Sequence, residues 1–136
     1  MHLNTQLNFG GNCEEAFQFY ERHLGGKITA MIRKDSIPPG HPRPPGPDSF
    51  VIHARVTIGG VDLIGNDVPS EVYQPVRGAY LFLDVDSNEE ADRVFALLAE
   101  GGQVGTPIAE AFFATRFGQV RDRFGVLWSV IGPRRG

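Results

Sequence analysis

The chain has 136 residues, 41% hydrophobic and 21% charged, which is the composition of one soluble domain with enough apolar material to bury a core. Thirteen Lys and Arg against sixteen Asp and Glu leave a net charge of −3, so there is no basic field to recruit nucleic acid or an anionic membrane surface. No apolar run reaches the roughly 18 to 20 residues of a membrane helix, and the opening MHLNTQLNFGG lacks the layout of a secretion signal. The single Cys13 excludes paired-thiol chemistry. The expectation is a cytoplasmic protein with neither nucleic acid nor membrane as partner.

Residues 3–9 alternate as a strand, with Leu7 and Phe9 on one face and Asn4, Gln6 and Asn8 on the other. Residues 12–24 read as a helix: Asn12 can cap it, Glu15 follows three residues later, and Ala16, Phe17, Tyr20 and Leu24 recur at helical spacing before Gly25. Residues 35–49 (DSIPPGHPRPPGPDS) hold six of the ten prolines and read as an extended, polyproline-like loop, either a lid or an insertion. Residues 51–58 form a strand whose apolar face is Ile52, Ala54, Val56 and Ile58, opposite His53, Arg55 and Thr57. The Gly59-Gly60 turn then leads to a strand over residues 61–64.

The same order returns in the second half. Residues 79–85 alternate, with Leu81, Leu83 and Val85 facing a helix and Tyr80, Phe82 and Asp84 facing away. Residues 87–100 form that helix, with Ser87 and Glu90 in capping-box spacing and Ala91, Val94, Phe95 and Leu98 on one side. Strands follow over 117–120 and 126–131, joined by a turn over 122–125 in which Asp122 stabilises the turn through its own carboxylate. The last strand is apolar on both faces and polarity does not orient it. Residues 132–136 read as a frayed tail with Arg134 and Arg135 in solvent.

Glu14-Glu15-Ala16 recurs as Glu89-Glu90-Ala91 and Gly25-Gly26 as Gly101-Gly102, an offset of 75 to 76 residues. The reading is an α+β fold of two tandem βαβββ modules, about residues 1–70 and 76–133 of a single domain. Each sheet has one face covered by its helix, and the other curls around a cavity. The uncovered faces nominate the ligand-binding candidates Asn8, His53, Arg55, Tyr80, Phe82 and Asp84, and Arg121 joins them from the strand and turn FGQVRDR. His53 with Arg55 suits an anionic or carbonyl-containing ligand, and the Arg121 guanidinium, pointing into a cavity, can clamp a carboxylate or phosphate. Arg116 and Arg123, which with Arg121 bracket the strand and turn FGQVRDR, are candidates of the same kind. Glu14, Glu15, Glu89 and Glu90 sit in first helical turns, where the helix dipole favours them.

The blocks LNFGGNCEEAFQFYERHLGGKI, FVIHARVTIGGVDLIGND and FFATRFGQVRDRFGVLWSVIG, in that order, resemble the PhnB-like branch of the vicinal oxygen chelate superfamily, the glyoxalase and bleomycin-resistance fold. The resemblance implies paired βαβββ modules and, in many members, a divalent metal held by one residue from the first and last strand of each module. Those positions fall at Asn4 or Thr5, Tyr80, Ile64 or Leu63, and Ser129, none of them His, Glu or Asp. The branch is also named after a demethylubiquinone methyltransferase, yet no strand here leads into a Gly-rich loop that would hold a methyl donor. The expected protein is a homodimer that binds a small organic ligand without metal or other cofactor. The alternative is a divalent-metal lyase, isomerase or dioxygenase recruiting His53 and Asp84.

Overall fold

Two stretches of alternating strand, each followed by a capped amphipathic helix, set the architecture of the computed structural model, which describes residues 1–135. The chain divides into two units, Met1–Pro75 and Val76–Gly136, each with its own helix and sheet.

In the first unit, β1 (Thr5–Phe9) leads into α1 (Cys13–His23), followed by β2 (Lys27–Arg33), β3 (Val51–Ile58) and β4 (Val61–Asp67). The sheet order is β1-β4-β3-β2, with β1 parallel to β4 and the other pairs antiparallel. Phe17 and Tyr20 of α1 are fully buried with Phe9, Ala54 and Val56, so the helix covers one face, as the alternation predicts. Close approach depends on Gly65 in β4: a Cβ there would stand 2.5 Å from Phe17 Cζ and 2.9 Å from Cys13 Sγ.

The expected Asn12 side-chain cap does not form. Asp67, at the end of β4, takes over that role. Its Oδ1 accepts from Gly11 N at 3.1 Å and Cys13 N at 3.0 Å, and its Oδ2 accepts from Val51 N at 2.8 Å. The apolar face of β3 also departs from strict alternation. A register shift between Ile32 and Arg33 puts Val51, rather than Ile52, in the core.

In the second unit, β5 (Leu81–Asp84) leads into α2 (Asn88–Ala99), then β6 (Gln103–Ala109), β7 (Phe117–Arg121) and β8 (Leu127–Ile131). The order β5-β8-β7-β6, with β5 parallel to β8, repeats the first sheet. Ser87 Oγ accepts from Glu90 N at 3.1 Å, the N-cap expected from its spacing. Val94, Phe95 and Leu98 are buried beside Val120, Trp128 and Val130, which settles the orientation of β8: Trp128 and Val130 face the helix.

Two βαβββ units with mixed four-stranded sheets are therefore present. The edge strands β2 and β6 complete each set of three. The C-terminal segment is not frayed: Arg135 N donates to Phe113 O at 3.0 Å, Arg134 pairs with Asp84 at 2.9 Å and Arg135 with Glu110 at 3.0 Å. Gly136 lies outside the described residues. No helix among the described residues is long and apolar enough to cross a membrane.

The proline-rich segment is an ordered excursion. At its base Lys34 N donates to Phe50 O at 2.8 Å and Asp35 N to Asp48 O at 3.1 Å. Inside it the Arg43 guanidinium donates to the carbonyls of Lys34 at 3.1 Å and Ile37 at 3.0 Å.

Candidate functional site

The candidate residues divide between the two uncovered sheet faces. Asn8, His53 and Arg55 lie on the first. Cα pairing sets Asn8 beside Asn66 and His53 beside Ile32. Gln6 Nε2 donates to Asn66 Oδ1 at 2.8 Å. Arg55 Nη1 donates to Asp62 Oδ2 at 3.0 Å, and Thr57 Oγ1 to Asp62 Oδ1 at 2.6 Å. Arg55 therefore already faces a carboxylate partner on its own sheet, which reduces its pull on an incoming anion.

Tyr80, Phe82, Asp84 and Arg121 belong to the second unit, where the register arranges the uncovered face in rows. One row pairs Leu127 with Arg121 and Arg121 with Gln103, and Tyr80 immediately precedes β5 at the same end. The next row runs Phe82, Ser129, Gln119, Thr106. Asp84 pairs in register with Ile131, and its carboxylate is held by Arg134. Phe82 is half exposed, and its register partner Ser129 is buried.

Tyr80 and Arg121 come together in a cleft of ≈310 Å³ with Gln103, Val104, Gly105, Gln119, Val120 and Leu127. Among the described residues Arg121 is the one charged side chain in that lining. Its Nη1 donates to Gly125 O at 2.9 Å, which fixes the guanidinium plane and leaves further N–H donors of the fork for a ligand. Gln119 is fixed as well: Thr106 Oγ1 donates to its Oε1 at 3.2 Å, and its Nε2 donates to Ser129 Oγ at 3.1 Å. Nothing in the sequence singles out Gln103 and Gln119, because a neutral amide on a strand carries no charge or motif to mark it.

The other polar candidates have partners within their own unit. Asp122 Oδ1 accepts from Phe124 N at 2.9 Å and Val126 N at 3.0 Å, so it stabilises its turn. Arg116 pairs with Asp92 at 3.1 Å, and Arg123 stacks over Phe124 at 4.6 Å. Cys13 is fully buried, and burial, reinforced by the charges of Asp67 and Glu14, pushes its thiol well above the ordinary range.

A divalent metal does not fit the residues at the positions the superfamily uses. Asn4 and Tyr80 precede their strands, and the parallel register places Gln6 beside Ile64 and Phe82 beside Ser129. An amide, an aliphatic chain, an aromatic ring and a hydroxyl lack the imidazole or carboxylate such a cation requires. Among the described residues no three His, Cys, Asp or Glu side chains converge, and His53 and Asp84 lie in different units.

The profile of the family described as 3-demethylubiquinone-9 3-methyltransferase matches residues 1–131. Protein YjdN of Escherichia coli (strain K12) is 34% identical over 138 residues, covering 96% of this chain and 94% of that protein. The crystal structure of PA1353 from Pseudomonas aeruginosa superposes with a TM-score of 0.87 at 38% identity, covering 98% of each chain. The PhnB protein from Bacillus cereus gives 0.84 at 28% identity, covering 97% of this chain and 99% of that one. A glyoxylase/bleomycin resistance protein/dioxygenase domain from Frankia sp. EAN1pec shares the fold at a TM-score of 0.68 and 17% identity, covering 100% of this chain and 93% of that one. The chain belongs to the PhnB-like family that this profile describes, and it shares its fold with glyoxalase/bleomycin-resistance/dioxygenase proteins.

Proposed function

We propose that this protein binds a small organic carboxylate in the Tyr80–Arg121 cleft, without a metal. The observation that carries this reading is Arg121, an oriented guanidinium in a lining that contains no carboxylate. A fork of N–H donors matches a carboxylate in two-point fashion. Gln103 and Gln119 add neutral donors and acceptors, and the Tyr80 ring supplies an apolar surface for the body of the ligand. A cleft of ≈310 Å³ matches the lower end of small-molecule sites, roughly 300 Å³ upward.

The test is thermal unfolding of chelator-treated protein with benzoate or succinate, and separately with Mn, Fe, Ni, Co and Zn. A carboxylate at a hundredfold excess over its Kd adds about 2.7 kcal/mol to the native state. The expected result is a saturable rise in Tm with a carboxylate, abolished by Arg121→Gln, and none with the metals. A saturable rise with a metal alone, or an undiminished carboxylate response in Arg121→Gln, overturns the reading.

A further inference from the structure

The first unit holds a second cleft of ≈310 Å³, between the proline-rich excursion and the turn that follows β4. Its walls are Pro44 and Pro45 on one side, Val68, Pro69 and Val72 on the other, and Ile52 at the sheet, with Asn66 and Asp67 as the polar lining. We propose that this cleft is a binding site for a neutral aromatic molecule carrying one hydrogen-bond acceptor.

Three features define that chemistry. The walls are pyrrolidine rings and aliphatic side chains, which suit the flat faces of a single aromatic ring. They are also fixed before a ligand arrives. The Lys34–Phe50 and Asp35–Asp48 backbone bonds close the base of the excursion, the Arg43 fork ties its interior, and the opposite wall is a turn in which Val72 N and Tyr73 N both donate to Pro69 O at 3.0 Å. A preformed wall avoids the ordering cost that weakens binding.

The polar lining then sets charge and polarity. Gln6 Nε2 occupies Asn66 Oδ1, so Asn66 offers its Nδ2 hydrogens and calls for an acceptor. Both oxygens of Asp67 already accept from backbone N–H groups, one of them Cys13 N at the start of α1, where the helix dipole offsets a negative charge. Among the described residues no cationic side chain lines the cleft. An anion gains nothing there, and the size selects one ring rather than a nucleotide.

Nitrogen–proton correlation spectra of the full chain, titrated with acetophenone and in parallel with benzoate, test the proposal. Acetophenone should give saturable shifts at the amides of Ile52, Asn66, Val68 and Val72, with benzoate at least tenfold weaker at those amides. Asn66→Asp retains the acceptor for Gln6 but replaces the free donor with an acceptor, and should weaken acetophenone at least tenfold. Val72 is 62% exposed, so Val72→Glu should fold normally and weaken binding to a similar degree. Arg121→Gln should leave the titration unchanged, which separates this site from the carboxylate cleft of the second unit. Absence of saturation at these amides, equal binding of benzoate there, or wild-type affinity in both Asn66→Asp and Val72→Glu overturns the proposal.

Discussion

The indole Nε1–H of Trp128 donates to Asp122 Oδ2 at 2.9 Å, while the other oxygen of that carboxylate holds the turn between β7 and β8. One buried side chain thus joins a hairpin turn to the helix-facing side of the last strand. Asp122→Ala leaves the indole and two backbone N–H groups without this acceptor and should cost about 3 kcal/mol or more. Asp122→Asn retains one acceptor oxygen and should lose less. Trp128 is the only tryptophan, so its emission during urea unfolding reads both variants directly. Wild-type stability in Asp122→Ala would show that the turn holds without the carboxylate.

Gly65 and Gly105 both sit in strands, but only Gly65 lies beneath a helix. An added methyl at Gly65 meets the buried Phe17 and Cys13 at 2.5 and 2.9 Å, whereas at Gly105 its nearest neighbour is Gln119 O at 3.7 Å. Gly65→Ala should therefore destabilise by about 1 to 3 kcal/mol, and Gly105→Ala should stay within about 0.5 kcal/mol of wild type. Chemical denaturation of the pair gives the comparison, and equal midpoints would contradict the packing of α1 on β4.

Cys13 is buried, and its thiol stays protonated through the neutral range. An aromatic disulfide reagent at pH 8 should leave the native protein unlabelled for hours and release one thiol per chain once denaturant is added. Labelling of the native protein within minutes would show that the region around Gly65 opens readily.

The Arg33 hydrogen bond to Glu14, aided by the charge of the guanidinium and opposed by slight burial, lowers the Glu14 carboxyl below its ordinary value. The folded pKa is then lower than the unfolded value of about 4.3. The contribution of the pair is fully present above that unfolded value and is lost as pH falls through the folded one. The stability difference between wild type and Glu14→Gln should be constant from about pH 5 upward and shrink below about pH 4. It should also fall with added salt, because Arg33 is 43% exposed and Glu14 31%. A difference that grows on acidification would reverse this sign.

Local signals carried much of the fold. Ser87 and Glu90, or Asp122 and the turn it closes, lie within a few residues of each other, and their spacing alone implies the bonds observed. The helix N-terminus at Cys13 was harder to read, because its acceptor, Asp67, arrives from 54 positions away through β4. The edge strands β2 and β6 have no individual mark in the sequence, since each carries two register shifts that break alternation, and β6 contains Gly105 and Pro107 on an almost wholly exposed edge. Within the carboxylate cleft, Tyr80 and Arg121 drew attention through aromatic character and charge. Gln103 and Gln119 join them only through the lateral register of β6, β7 and β8.

The proline-rich excursion leaves and rejoins the first sheet one hydrogen bond apart, at Lys34 and Phe50. Its two ends meet at the Arg33–Val51 pair of the sheet, so a change in its length is a change in one closed loop, and each doubling of such a loop costs only about 0.6 kcal/mol in closure entropy. Its length and composition can drift without disturbing the sheet. A wall of the first unit's cleft can thus be redrawn in related chains while the fold stays the same.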